Sequence, residues 1–240
     1  MAIRSTLLPA ATLAIPFLLN ACGNDPISAF TTPRALEASS VAADPTLKLD
    51  PTAGNFTLPD YKPTGNAGYS QAQWTKNVVL DGKFSVLLQK TVDFQSCYTP
   101  PIENGCAAFA AVIVTGVEGM TIADLGAIGF SVSGSLCGAG SPRFNLYYSN
   151  GGGQADGVAF YGCAAHMSGT PLAGWTSMSV SSTSLATPAS CYSFTGSGAC
   201  TLTSASTVVQ LSVIVDEQGT WYIDRVQVAN ATTGEPNGSN

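Results

Sequence analysis

Seven cysteines and a single histidine are the residues of this 240-residue sequence whose types and spacing most directly invite chemistry. Two segments read almost alike: "CYTPPIENGC", Cys97 to Cys106, and "CYSFTGSGAC", Cys191 to Cys200. Zinc sites bring cysteines two to four residues apart with a matching second pair, and redox centres use C-x-x-C. Neither spacing occurs. Each segment instead holds a stretch rich in Pro, Gly, Asn and Ser between its cysteines, the composition of a turn between strands. Both therefore read as disulfide-closed loops, each closure contributing roughly 2 to 3 kcal/mol in the chain-entropy model.

His166, the only histidine, would have to carry any Ser-His or Cys-His catalysis. No G-x-S-x-G elbow precedes it and Ala165 and Met167 flank it, so it is expected as a polar loop residue. Asp124, Asp156, Asp216, Glu217 and Asp224 hold the residue types of a glycosidase pair. They are expected instead as solvated loop charges, with Asp216 and Asp224 as weak candidates for one structural Ca²⁺. No other cofactor is expected. Glycines 151 to 153 lack the strand-to-helix context and following Lys of a phosphate loop and read as a hairpin tip.

The residues best suited to hold a ligand are Arg143, Asn145 and Tyr147, which alternate to one side of a strand, with Tyr161 and Trp175 as expected neighbours on paired strands. Planar donors and acceptors suit sugar hydroxyls, and aromatic rings suit the C–H faces of sugars. The competing expectation pairs Arg143 with a buried carboxylate such as Asp124 or Asp224 and places the aromatics under covering loops.

The elements that must position these residues are strands. Charged residues are 10% of the chain, and the Glu, Lys, Arg and Leu that fill exposed helix faces are scarce. Nine Lys and Arg against fifteen Asp and Glu give a net charge of −6. With no basic run, nucleic acid is excluded as a partner. Arg4 followed by "LLPAATLAIPFLLNAC", Leu7 to Cys22, has the charged start, apolar core and small-residue end of a secretory signal over 1–21, and is short for a membrane span. Its end, Leu19-Asn20-Ala21-Cys22, resembles a bacterial lipobox, although Asn20 stands where a small or aliphatic residue is usual. The resemblance implies lipidation at Cys22 and a membrane anchor; the alternative is a plain cut near Ala21 that releases a secreted protein. Export places the other six cysteines in an oxidising compartment, where an even set pairs. Fifteen connectivities exist; local pairing of Cys97 with Cys106 and Cys191 with Cys200 leaves Cys137 with Cys163.

Residues 22–73 carry scattered prolines and no periodicity, and read as a flexible tether with one short helix around Pro33 to Val41. From Trp74 to about Asn230, short apolar runs alternate with turn signals. Nine strands are expected: 77–81, 83–93, 107–117, 127–133, 143–150, 157–162, 174–181, 208–217 and 220–229. Residues 231–240 are expected to form a disordered tail. In "RFNLYYSN", Phe144, Leu146 and Tyr148 share a core side; in "VVQLSVIVDE", Val209, Leu211, Val213 and Val215 make an inward row. In "WYIDRVQV" the alternation slips, and a β-bulge at Asp224-Arg225 would restore one core face. The expected fold is all-β: two packed antiparallel sheets.

The ending "GTWYIDRVQVAN", Gly219 to Asn230, resembles the closing strand of jelly-roll sandwiches of the galactose-binding-like and carbohydrate-binding-module type. The segment "LGAIGFSVSGSLCGAGSPRFNLYYSNGGG", Leu125 to Gly153, with "VAFYGCAAH", Val158 to His166, is similar to part of uncharacterised exported bacterial proteins. The resemblance implies a jelly-roll-like sandwich acting as an exported, non-enzymatic binding module, with a glycan or a cell-envelope component as its partner. It supplies no catalytic residue, and jelly rolls serve many functions. A structural or adhesive surface protein without a small ligand, and a glycoside or ester hydrolase, are the other functions considered.

Overall fold

In the computed structural model, the residues described are 44–56, 68–98, 103–138, 140–151, 153–194 and 199–236. They belong to one compact unit, Ala42–Asn240. Cys22, the expected signal and the expected helix at Pro33 to Val41 lie outside the described residues.

In chain order the strands are β1 (Lys48–Asn55), β2 (Ser70–Thr75), β3 (Ser85–Lys90), β4 (Ala108–Thr115), β5 (Ile128–Gly134), β6 (Arg143–Ser149) and β7 (Gly157–Gly162). There follow β8 (Met167–Leu172), β9 (Trp175–Val180), β10 (Ser190–Ser193), β11 (Thr207–Val215), β12 (Gly219–Val228) and β13 (Ala231–Thr233). One sheet runs β1-β4-β11-β6-β7-β10; the other runs β2-β3-β12-β5-β9-β8, with β13 beside β12. Every pairing is antiparallel. The fold is the expected two-sheet, jelly-roll-like sandwich, and neighbours distant in sequence, such as β11 between β4 and β6, weave it together.

Alternation decides what each strand buries. Phe144, Leu146 and Tyr148 of β6 face the core, and so do Val112 and Val114 of β4 and Leu211 and Val213 of β11. They meet Val86, Leu88, Phe130, Val132 and Ile223 from the other sheet. Phe130 and Phe144, one from each layer, pack edge to face with centroids 5.1 Å apart, a preferred aromatic geometry. The bulge expected in β12 is present: its register on β5 shifts between Asp224 and Gln227, and Arg225 takes φ 50. Asp224 Oδ1 accepts the N–H of Arg225 at 2.7 Å, so the side chain before the bulge holds it in place.

The structure corrects several expectations. β1 and β2 lie in the stretch read as tether and are full members of the two sheets, so the sandwich starts well before Trp74. β1 was hidden because Pro51 and Gly54 interrupt its pattern; at the sheet edge a proline costs no ladder bond. Residues 77–81 are bends rather than a strand, since the Asp224 carboxylate captures the N–H groups of Leu80 and Asp81. β13 lies in the stretch read as tail. In β11 it is Val208 rather than Val209 that joins the core, because the register on β6 shifts between Val208 and Gln210. The disulfides follow the expected pattern: Cys97–Cys106, Cys137–Cys163 and Cys191–Cys200.

Candidate functional site

With Phe144, Leu146 and Tyr148 turned inward, pleating turns Arg143, Asn145 and Tyr147 to the outer face of the six-stranded sheet. On β7 the outward residues are Val158 and Phe160; on β10 they are Ser190 and Tyr192. Antiparallel register lines them up: Tyr147 opposite Val158 and Val158 opposite Tyr192, then Asn145 opposite Phe160 and Phe160 opposite Ser190. Gly157 lets these strands close, because a Cβ there would lie 2.5 Å from Tyr148 Oη and 2.5 Å from the Tyr192 carbonyl oxygen.

One end of this face carries an open aromatic cluster. The ring of Phe194 lies 6.3 Å from Tyr147 and 5.9 Å from Tyr192, inclined at 31° and 59° to them. Tyr192 is 56% and Phe194 49% exposed, far more than aromatic rings serving as core. The segment bearing them is tied down on both sides. Phe194 N–H donates to the Asp156 carbonyl at 2.8 Å, the Cys191–Cys200 bridge closes the loop, and Thr201 N–H donates to Tyr148 Oη at 3.1 Å.

The other end is polar. Arg143 forms a two-pronged ion pair with Asp216, and its Nε donates to Asn145 Oδ1 at 2.9 Å, while a fourth N–H, on Nη1, reaches the Gly140 carbonyl at 2.5 Å. The guanidinium also lies 5.6 Å from the Phe160 ring centroid. Beside it, Phe160, Ala165, His166, Ala189 and Ser190 line a pocket of about 390 Å³. On the opposite side of Arg143, a polar hollow of about 450 Å³ is bordered by Asp93, Asp216 and Glu217. Burial, then the charges of Asp216 and Asp93, raise the Glu217 carboxyl above its ordinary value, with Arg143 acting against them. Burial lowers the imidazole of His166.

The structure brings together three of the five expected ligand residues and separates two. Arg143, Asn145 and Tyr147 share the outer side of the sheet, where Asn145 is itself buried at 2% exposure beside the Arg143 guanidinium. Tyr161 is 1% exposed in the core and donates its hydroxyl to the Leu185 carbonyl at 2.6 Å; it follows Phe160, so pleating sends it inward. Trp175 is buried on β9, in the other sheet. The competing expectation was right that Arg143 pairs with a buried carboxylate, but the partner is Asp216. Missed altogether were Phe160, Tyr192 and Phe194. The aromatic repeat at positions 192 and 194 was a visible signal, overlooked because the segment was read as loop.

The remaining candidates have other partners. Asp124 accepts from Thr121 Oγ1 at 2.6 Å and Asp156 from Asn150 N–H at 2.6 Å. Of the two Ca²⁺ candidates, Asp216 faces the Arg143 guanidinium, and both Asp224 oxygens accept backbone N–H groups. Among the described residues no group of three His, Cys, Asp or Glu is placed to hold a metal ion.

No protein-family model matches the chain, and no curated protein matches it. Among solved structures it is similar to the β-1,2-glucanase from Parabacteroides distasonis at 11% identity and TM-score 0.37, covering 80% of this chain and 24% of that one. It is also similar to the CBM22-1 xylan-binding domain from Paenibacillus barcinonensis, at 12% identity and TM-score 0.32, covering 81% of this chain and 99% of that one. A third likeness is to CBM27-1 from Caldicellulosiruptor saccharolyticus, solved with mannohexaose, at 12% identity and TM-score 0.30, covering 76% and 99%. The chain thus spans about a quarter of the glucanase. Likenesses this distant carry no argument about what this chain binds.

Proposed function

We propose that this protein is an exported, lipid-anchored, non-enzymatic module that binds glycans on the outer face of its six-stranded sheet. The observation that carries the reading is the ring cluster in which Phe194 contacts both half-buried Tyr147 and exposed Tyr192 on the sheet face, beside the hydrogen-bonding groups of Gln210 and Ser190. Sugars present C–H faces that stack on rings and hydroxyls that need fixed donors and acceptors, and sites combining a few rings with a few polar groups hold small ligands. Export is supported by the signal-like N-terminus and by three disulfides, which persist in oxidising compartments; the anchor rests on Cys22.

The test is calorimetric titration of the purified chain with soluble cello-, xylo-, manno- and laminari-oligosaccharides. Binding to at least one, lost in Tyr147→Ala with Tyr192→Ala while thermal stability is kept, is the expected result. Binding that survives in that double variant removes the face. Palmitate labelling that disappears in Cys22→Ala checks the anchor separately.

A further inference from the structure

We infer that the pocket between Phe160, His166 and Ser190 is a separate subsite that receives the terminal sugar of a single, uncharged glycan chain lying along β7 and β10. This rests on the glycan-binding reading and extends it. The pocket opens on the same face as the aromatic trio and continues it: Phe160 stands two residues from Val158, the position flanked by Tyr147 and Tyr192, about 7 Å away along a strand. Rings therefore recur along the track, first Phe194, then Tyr147 and Tyr192, then Phe160.

The track ends at the pocket. The turn Cys163–His166 follows β7 directly and is pinned by Cys137–Cys163 and by the Ala164 N–H to the Gly138 carbonyl at 3.0 Å. It places Ala165 and His166 as a wall across the end. Phe160 supplies a surface for a sugar's C–H face, and the Ser190 hydroxyl and His166 imidazole supply hydrogen-bonding groups. Burial shifts that imidazole towards its neutral form, in which one ring nitrogen accepts and the other donates.

Charge selects the ligand class. Arg143, the only cation lining the pocket, is already paired with Asp216, and Asp93 and Glu217 add negative charge on its far side. A carboxylated or sulfated chain would meet net repulsion. Shape selects further: rings inclined by 31° and 59° cannot all lie on the flat face of a crystalline polymer, whereas a single twisted chain can follow them.

Because His166 is the only histidine, its imidazole C–H proton signals need no assignment. The experiment is proton NMR of the full chain during titration with the soluble hexasaccharide that binds most tightly by calorimetry, with the calorimetry repeated on His166→Ala and Ser190→Ala. The expected result is movement of the His166 signals that saturates with the calorimetric Kd. Each variant is expected to lose about tenfold in affinity with an unchanged melting temperature. Binding with the His166 signals unmoved, or with both variants unaffected, overturns the subsite and leaves the aromatic face standing. Tighter binding of polygalacturonate than of any uncharged chain overturns the ligand class, and binding of no glycan at all overturns both readings.

Discussion

Arg143 Nη1 and Nη2 each meet a different oxygen of Asp216 at 2.7 Å, and Ser141 Oγ donates to the same carboxylate at 3.0 Å. The paired side chains are only 13% and 10% exposed, so water is a poor substitute partner for either charge. Arg143→Met should cost about 3 kcal/mol, the penalty for stranding a buried carboxylate. Arg143→Lys keeps the charge but loses the fork and should cost less. Guanidinium unfolding midpoints at pH 7 measure both.

Two tyrosines on adjoining strands should behave in opposite ways. Tyr147→Ala removes a ring from the open face and should weaken glycan binding roughly fivefold with little effect on stability. Tyr161→Phe removes only the bond to Leu185 and should cost about 1 kcal/mol of stability with binding unchanged. Paired calorimetry and thermal melts separate the two effects.

Lys90 is 1% exposed, and its ammonium donates to the Cys106 carbonyl at 2.5 Å and the Asp216 carbonyl at 2.6 Å. Burial lowers its pKa to about 8, against the opposing pull of Asp216 and Asp93. Between about 8 and the unfolded value of 10.5, the unfolded chain holds a proton that the folded chain has lost. Stability from this group therefore rises with pH across that window and is flat below it. Urea midpoints at pH 7, 8 and 9 should show the rise in the native chain and not in Lys90→Met. That variant should also be about 2 kcal/mol less stable at pH 7, with two buried carbonyls unpaired.

The two similar disulfide loops should have different functional weight. Replacing Cys191 and Cys200 together by Ser should cost about 2 to 3 kcal/mol and also weaken glycan binding, because Tyr192 and Phe194 lie inside that loop. Replacing Cys97 and Cys106 by Ser should cost a similar amount of stability with binding intact. Chemical denaturation and calorimetry on the two double variants test the contrast.

What could be read from the sequence was whatever depends on near neighbours along the chain. Alternation with a period of two placed Phe144, Leu146 and Tyr148 inside and Arg143, Asn145 and Tyr147 outside. The slipped phase after Ile223 located the bulge at Asp224 and Arg225, and short loop closure paired four of the cysteines. The same rule applied to "VAFYG" would have turned Tyr161 inward, since Phe160 and Tyr161 must point to opposite faces and only one of them could join Tyr147.

Only the tertiary structure decided which strands became neighbours. That β10 lies beside β7, that Trp175 belongs to the opposite sheet, that Asp216 rather than Asp124 or Asp224 meets Arg143, and that β1 and β2 complete the sheets all depend on pairings between distant segments. Strand pairing is made by backbone hydrogen bonds, which are the same for every residue except proline, so the side chains of one strand carry little record of its partner. The composition and alternation of this chain therefore specify a disulfide-stapled sandwich, while the aromatic face and its pocket exist only where long-range register brings Tyr147, Phe160, Tyr192 and Phe194 to one surface.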